Sequence, residues 1–181
     1  MRRSRHNPLV SVIVVAYDSG AALEECLQSI FAQDYPRVEV ILVDNASRDG
    51  AAIAAARAHA GRLWLVAPGA NLGFGGGCNA GFAVTQGAII GLLNPDAGAD
   101  PGWAWAAVEL FAARPDVGMV ACRVLDYADR TRIATAGHLL YRDGLNRGRG
   151  RGEPASAYDA EAEVAFPSGS AGFYRREAFE A

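Results

Sequence analysis

Ala88-Ile89-Ile90-Gly91-Leu92-Leu93-Asn94-Pro95-Asp96 is the stretch that decides how this chain folds. Its first six residues carry no polar side chain, which suits a parallel strand covered on both faces. The run then stops at a proline and a carboxylate. A buried carboxylate without a partner costs several kcal/mol, so Asp96 is expected to emerge at the strand end and to meet solvent, a cation or a donor. Ligands of open α/β sheets bind outside the carboxyl ends of the strands. Asp96 is thereby expected at a binding edge.

Three upstream runs have the same character. Residues 10–17 (VSVIVVAY), 39–43 (EVILV) and 62–67 (RLWLVA) read as strands rich in valine, isoleucine and leucine. Between the first two, Leu23, Leu27, Ile30 and Phe31 recur at helical spacing. Ser19-Gly20 reads as a turn and cap before that helix, and Asp34-Tyr35-Pro36 ends it. An alanine-rich helix is expected over roughly 50–60. Residues 71–79 (NLGFGGGCN) read as a glycine-rich loop leading into a short helix over about 79–85. After Asp96, Pro101 suits the first turn of a helix carrying Trp103, Val108, Leu110 and Phe111, with Asp100 as its cap. Trp103 and Trp105 are two positions apart and cannot share one helix face. Residues 117–124 read as a fifth strand.

Beyond position 125 the pattern changes. Short alternating stretches at 132–136 and 138–141 suggest a hairpin or meander. Residues 144–160, with Arg-Gly repeats, read as a long mobile loop. Residues 164–174 return to a strand-like pattern, and 176–181 begin a helix. The strand–helix alternation predicts an α/β, Rossmann-like, mostly parallel sheet with helices on both faces. Its carboxyl-end loops hold Tyr17-Asp18, Asp44-Asn45, 71–79 and 94–96.

The 181 residues suffice for one domain with a sizeable core. The net charge of −3 gives no basic excess to suggest nucleic acid. Arg2, Arg3 and Arg5 make a small basic tail over 1–8, and Arg147, Arg149 and Arg151 lie in a glycine-interleaved stretch that reads as solvated loop. Cys26, Cys78 and Cys122 are widely spaced and form no zinc motif or disulfide framework, which favours a reducing compartment. His6, His59 and His138 are scattered. The start is read as a tail and first strand rather than a signal peptide. No apolar run reaches the ~18 residues of a membrane span.

The chemistry of the loops is acidic and polar. The first strand–helix turn, Ala16-Tyr17-Asp18-Ser19-Gly20-Ala21, lacks the glycine fingerprint of a dinucleotide site. The glycines come instead after the third strand, and Gly73-Phe74-Gly75-Gly76-Gly77-Cys78 lacks the third glycine of that pattern. A P-loop lysine and a G-x-S-x-G elbow are also absent. Asp44 can accept from a nucleobase N–H or a ribose hydroxyl, or cap its own turn. Asp96 can hold Mg²⁺ or Mn²⁺, hard cations that share oxygen ligands with phosphates, or serve as a turn aspartate. Backbone N–H groups of a glycine-rich segment before a helix can approach a phosphate or base. Together these residues describe a site for a nucleoside diphosphate with a metal.

The pieces Val10-Ser11-Val12-Ile13-Val14-Val15-Ala16-Tyr17, Cys26-Leu27-Gln28-Ser29-Ile30 with Gln33 and Tyr35-Pro36, and Val43-Asp44-Asn45-Ala46-Ser47 stand in a recognisable order. They are followed by Asn71-Leu72-Gly73-Phe74-Gly75-Gly76, Leu93-Asn94-Pro95-Asp96 and Ser168-Gly169-Ser170-Ala171. In that order and spacing the chain resembles the family 2 glycosyltransferases of the GT-A fold, especially the rhamnosyltransferase-like branch. The resemblance implies an inverting transfer of a sugar from a dTDP- or UDP-sugar donor, such as dTDP-rhamnose, to a cell-envelope glycan or lipid-linked acceptor. It implies a GT-A domain over 9–181 and a setting in the cytoplasm, peripheral at the inner membrane face. Ala16 and Tyr17 would line the nucleoside pocket, and Asp44 would accept from base or ribose. Asn71, Gly73 and Gly75 would shape the base-side wall. Asn94-Pro95-Asp96 falls where the family has its D-x-D metal motif, with Asp96 on Mg²⁺ or Mn²⁺ and Asn94 where the fuller motif has a second carboxylate. Residues 168–171 would lie on the acceptor side. The family's general base sits in an acidic motif beyond residues 170–174, and no such motif occurs before Ala181. Two readings stay open at this point: a domain whose base lies outside this sequence, and a non-catalytic nucleoside-diphosphate-binding fragment. A nucleotidyltransferase is disfavoured, because it would need a basic glycine-rich loop after the first strand.

Overall fold

The computed structural model describes residues 7–180. The tail arginines Arg2, Arg3 and Arg5, with His6 and Ala181, lie outside the described residues. Strand β1 (Val10–Ala16) is buried along its whole length and forms the centre of the sheet. It pairs in parallel with β2 (Val38–Asp44) on one side and with β4 (Ile89–Leu93) on the other. Strand β3 (Trp64–Val66) adds to β2, also in parallel. Helices α1 (Ala22–Phe31), α2 (Ala51–Ala58) and α3 (Gly73–Phe82) connect these strands, and α4 (Trp103–Ala113) follows β4.

Alternation along β1 and β2 sorts the helices onto the two faces. Val10, Val12, Val14, Val40 and Leu42 face α1, α2 and α4, where they meet Leu23, Leu27, Ala55, Val108 and Phe111. Ile13, Val15, Ile41 and Val43 face α3 and the helix α5 (Arg176–Glu180), meeting Cys78, Phe82 and Phe179. Fully burying one such aliphatic side chain contributes roughly 1.5–3 kcal/mol. These two layers therefore carry most of the apolar stabilisation.

The second half of the sheet differs from the expected parallel order. Residues 117–124 do not form one strand; β5 (Met119–Ala121) and β6 (Val124–Leu125) are separate. A later strand, β10 (Ala171–Arg175), inserts antiparallel between β4 and β5, giving the order β3-β2-β1-β4-β10-β5. Gly91 permits this. A methyl there would stand 2.9 Å from Phe173 and 3.3 Å from Trp103, whose rings pack with centroids 4.2 Å apart. Trp103 is half-buried and Trp105 buried, as their spacing predicts.

The β10 insertion is fastened at its end by two arginines. Arg175 donates to the carbonyls of Phe111, Arg114 and Val117, at and just beyond the end of α4. Arg176 donates to the Thr85 and Gly87 carbonyls and to the Thr85 hydroxyl, beyond the end of α3. Cations at helix C-termini also interact favourably with the helix dipole.

Residues 144–160 are built rather than loose. Strand β7 (Ile133–Thr135) pairs with β6, and β8 (His138–Leu140) forms a hairpin with β9 (Asn146–Gly148). A 3-10 turn follows at Ala155–Tyr158. The Arg-Gly repeat owes its order to partners distant in type: Arg147 pairs with Asp143 and lies over the Tyr141 ring, and Arg149 lies over Tyr158.

Candidate functional site at the carboxyl edge of the sheet

The parallel register aligns Ala16 with Asp44. It also aligns Ile13 with Leu92, so β1, β2 and β4 end at one edge. The loops leaving β1 and β2 are tied to each other. The Asp18 N–H donates to Ser47 Oγ at 3.3 Å, and the Arg48 N–H donates to Asp18 Oδ1 at 2.6 Å. Arg48 Nη2 reaches Asp18 Oδ2 at 2.8 Å, and the Gly20 N–H donates to Asp49 Oδ2 at 2.8 Å. Asp18 and Ala46 both hold left-handed backbone, at φ 47° and 65°, which costs about 1–2 kcal/mol each. The inter-loop bonds offset that cost. The bonded Arg48 N–H and guanidinium hold the Asp18 carboxyl below the usual carboxylate range. Tyr17 is exposed beside this latch, with its N–H donating to Ser19 Oγ. Ser19 therefore closes its own turn; α1 starts without a side-chain cap.

Asp44 Oδ1 accepts the Ser47 N–H at 2.9 Å. One carboxylate oxygen thus closes the turn, and the side chain stays half-buried at the edge. Asn45, next along, is buried and fully used. Its Oδ1 accepts the Leu72 N–H at 2.9 Å. Its Nδ2 donates to Asn71 Oδ1 at 3.1 Å and to the Gly73 carbonyl at 3.2 Å. Asn71 Oδ1 also accepts the Gly73 N–H at 2.8 Å. Asn45 therefore holds the start of α3 against the end of β2. It was not among the expected site residues; its direct succession to Asp44 at a strand end was the available signal.

The glycine-rich segment is itself helix from Gly73 onward, which corrects the expected loop. Glycine disfavours helices by about 1 kcal/mol against alanine, but packing decides here. A methyl at Gly77 would lie 2.6 Å from Val15 Cγ1, and one at Gly81 would lie 2.7 Å from Ile13 Cγ2 and 3.0 Å from Val43 Cγ2. Only a helix stripped of side chains on this face can approach β1 and β2 so closely. Gly73 takes φ +70°, and Leu72 before it provides no side-chain cap of its own. The Leu72 and Gly73 N–H groups are taken by Asn45 and Asn71, and the next turn of N–H groups, Gly75 among them, lies at the same edge.

At the end of β4, Asn94-Pro95-Asp96-Ala97 is a tight turn closed by the Ala97 N–H on the Asn94 carbonyl at 3.1 Å. Proline at the second position suits such a turn. Cys26 Sγ donates to the same carbonyl at 3.3 Å. Burial, and then the Asp96 charge, push the Cys26 thiol up to about 12, so it stays a neutral donor. The Asn94 N–H donates to the Ser170 carbonyl at 2.9 Å, which joins residues 168–170 to this turn. Ser168 Oγ accepts the Ser170 N–H, and Gly169 lies against Phe74. Asp96 is exposed, and its carboxylate takes part in no hydrogen bond or ion pair among the described residues. Asp100 does not cap α4. That start is bridged by Gln33, which accepts the Ala104 N–H at 3.0 Å and donates to the Asp100 carbonyl at 2.7 Å.

The structure thus brings Ala16, Tyr17, Asp44, Asn71, Gly73, Gly75, Asn94 and Asp96 to one edge. Among the described residues no three His, Cys, Asp or Glu side chains cluster as a metal site. Asp96 supplies one unengaged carboxylate. That donor set fits a hard divalent cation that takes its other ligands from water and phosphate oxygens.

The comparisons agree with this architecture. The sequence model of glycosyl transferase family 2 matches residues 11–181. An uncharacterized glycosyltransferase from Nostoc is 29% identical over 74% of this chain and 43% of its own length. The succinoglycan biosynthesis protein ExoO of Rhizobium meliloti is 35% identical over 49% of this chain and 26% of its own. Among solved structures, a mannosyltransferase from Pyrobaculum calidifontis, in complex with GDP-Man and Mn²⁺, superposes with a TM-score of 0.69. It is 26% identical and covers 97% of this chain and 47% of its own. Staphylococcus aureus TarS shares the fold at a TM-score of 0.68. The chain spans less than half the length of each of these relatives. Among the described residues no helix is long and apolar enough to cross a membrane.

Proposed function

The chain belongs to glycosyl transferase family 2 and has the GT-A fold, and from that premise we propose that it is the donor-binding part of a sugar transferase. The donor is a nucleoside diphosphate sugar, and the acceptor is a polysaccharide or lipid-linked glycan. The expected setting is the cytoplasm, at the inner face of the membrane. One observation carries the reading: a carboxylate with no hydrogen-bond or ion-pair partner among the described residues stands at the end of β4, at the same edge as Asp44 and the start of α3. The Pyrobaculum relative, in complex with a nucleotide sugar and Mn²⁺, supports assigning that edge to the donor.

In this reading Tyr17 and Ala16 flank the nucleoside, and the free oxygen of Asp44 accepts from base or ribose. Asn71, Gly73 and Gly75 form the wall that Asn45 holds in place. Asp96 is the residue that would hold Mg²⁺ or Mn²⁺, with Asn94 beside it. A divalent cation there supplies charge to offset the leaving diphosphate. Residues 168–171, bonded to the Asn94 turn, face the acceptor. Inversion requires a base to take the acceptor proton.

Titration calorimetry of GDP, UDP and dTDP, with and without Mn²⁺, tests the reading. At least one nucleotide is expected to bind about tenfold more tightly with the metal, and Asp96→Ala removes that difference. Metal-independent affinity that is the same in Asp96→Ala refutes the assignment of Asp96. Turnover with the matching sugar donors, dTDP-rhamnose among them, then identifies the sugar. Nucleotide binding without any transfer would favour the non-catalytic reading.

A further inference from the structure

The tip of the β8–β9 hairpin has an exposed apolar surface that the donor-site reading does not use. Leu140, Tyr141 and Leu145 are 65%, 46% and 58% exposed. The ladder pairs Leu140 with Asn146, and the Tyr141 N–H donates to the Leu145 carbonyl at 3.0 Å. Side chains alternate across a strand pair, so Leu140 projects from one face of the hairpin and Tyr141 with Leu145 from the other. An apolar tip exposed on both faces is a wedge. A flat protein surface or a groove wall covers one face of such a wedge, whereas a lipid headgroup layer surrounds it.

The charge beside the tip points the same way. Residues 142–151 hold Arg142, Arg147, Arg149 and Arg151 against one acid, Asp143, in a chain whose net charge is −3. Asp143 is bound to Arg147, while Arg142 and Arg151 are exposed and form no ion pair among the described residues. Apolar side chains flanked by arginines fit the boundary of an anionic membrane. There each basic residue near the surface contributes about 1 kcal/mol, and buried apolar area adds to it. The hairpin is also rooted beside the proposed acceptor side. His138 bridges to Phe166, its ring stacking on the Phe166 ring, and Gly169, a few residues on, lies against Phe74.

We propose that the tip formed by Leu140, Tyr141 and Leu145, with Arg142 and Arg151, is a membrane-docking finger that inserts into an anionic lipid surface. It rests on the donor-site reading only for the purpose of docking, which is to bring the carboxyl edge of the sheet to a lipid-linked acceptor.

Flotation of the whole chain with vesicles tests this. Vesicles of phosphatidylcholine alone are compared with vesicles containing about one-third phosphatidylglycerol. The chain is expected to float with the anionic vesicles and to be released severalfold by raising salt from 0.1 to 0.5 M, because screening shortens with ionic strength. Leu140→Ser/Leu145→Ser is expected to weaken binding about tenfold or more, and Arg142→Glu/Arg151→Glu to abolish the preference for anionic lipid. Circular dichroism and nucleotide calorimetry are run on each variant. Unchanged nucleotide binding shows that the fold is intact and separates failure of docking from failure of the donor site. Absence of flotation overturns the proposal, as does flotation that the leucine variant leaves unchanged. Self-association by light scattering that the leucine variant abolishes also overturns it, because the tip would then be covered by a second copy.

Discussion

Gly81→Ala puts the packing of α3 on β1 and β2 to a direct test. In a solvent-exposed helix this change stabilises by about 1 kcal/mol. Here the new methyl would lie 2.7 Å from Ile13 Cγ2, 3.0 Å from Val43 Cγ2 and 3.5 Å from Ile41 Cγ2. All three neighbours are β-branched, so few rotamers let them turn away, and all three are buried in the layer under α3. Overpacking a filled core costs about 1–3 kcal/mol. Once the helix-propensity gain is subtracted, a net loss of up to about 2 kcal/mol remains. In a domain of this size that lowers Tm by up to roughly 8 °C. Gly75→Ala is the control: a methyl there meets nothing within 4 Å, so Tm should hold or rise. Differential scanning calorimetry of both variants decides the matter. If Gly81→Ala is as stable as Gly75→Ala, close approach is not the reason this helix is built of glycine, and the account given for α3 is wrong.

Three further outcomes are expected. Asn45→Ala leaves the Leu72 N–H and the Gly73 carbonyl without their partner and should cost about 2 kcal/mol in urea unfolding; Asn45→Asp, which replaces a donor with a negative acceptor facing Asn71 Oδ1, should cost more, and the reverse order would contradict the amide orientation. Arg175→Met removes charged donors from three carbonyls and should destabilise by about 2–3 kcal/mol, read from the same urea midpoints. Asp18 has a folded pKa below its ordinary 3.8, so its tie to Arg48 is complete above that value and is lost as the pH falls through the lower folded one; a carboxyl ¹³C titration placing Asp18 at or above 3.8 would show that the latch does not form.

The parallel half of the sheet was legible because its strands are dominated by valine, isoleucine and leucine. Residues 12–16, 40–43 and 89–93 carry no polar side chain and are buried throughout. The edge that carries Asp44 and Asp96 followed from strand direction alone. What escaped was decided by contacts between distant residues. Glycine propensity argued for a loop at 73–77, and only the methyls of Ile13, Val15 and Val43 overrule it. The Arg-Gly stretch looked unstructured because its partners, Tyr141, Asp143 and Tyr158, become partners only once the hairpin forms. Asn45 looked like one more turn residue, and its clamp on Leu72 and Gly73 requires β2 and α3 to be side by side. The Asn71 oxygen accepts from Asn45 and from the Gly73 N–H, and the first of these contacts likewise needs β2 beside α3.

The place of β10 in the sheet sets an order of assembly. Until residues 171–175 exist, β4 is an open edge of bare N–H and C=O groups, and β5 has no neighbour in the main sheet. At 5–20 residues per second the ribosome needs about 4–15 s to make the stretch 94–170. Throughout that interval β1, β2 and β4 can pair while the β4 edge remains a template for any passing strand. Closure comes with one segment, which fills the gap between β4 and β5 and, through Arg175 and Arg176, fixes α4 and α3 at the same moment. A nascent chain stalled before this segment should therefore be the form most in need of a chaperone.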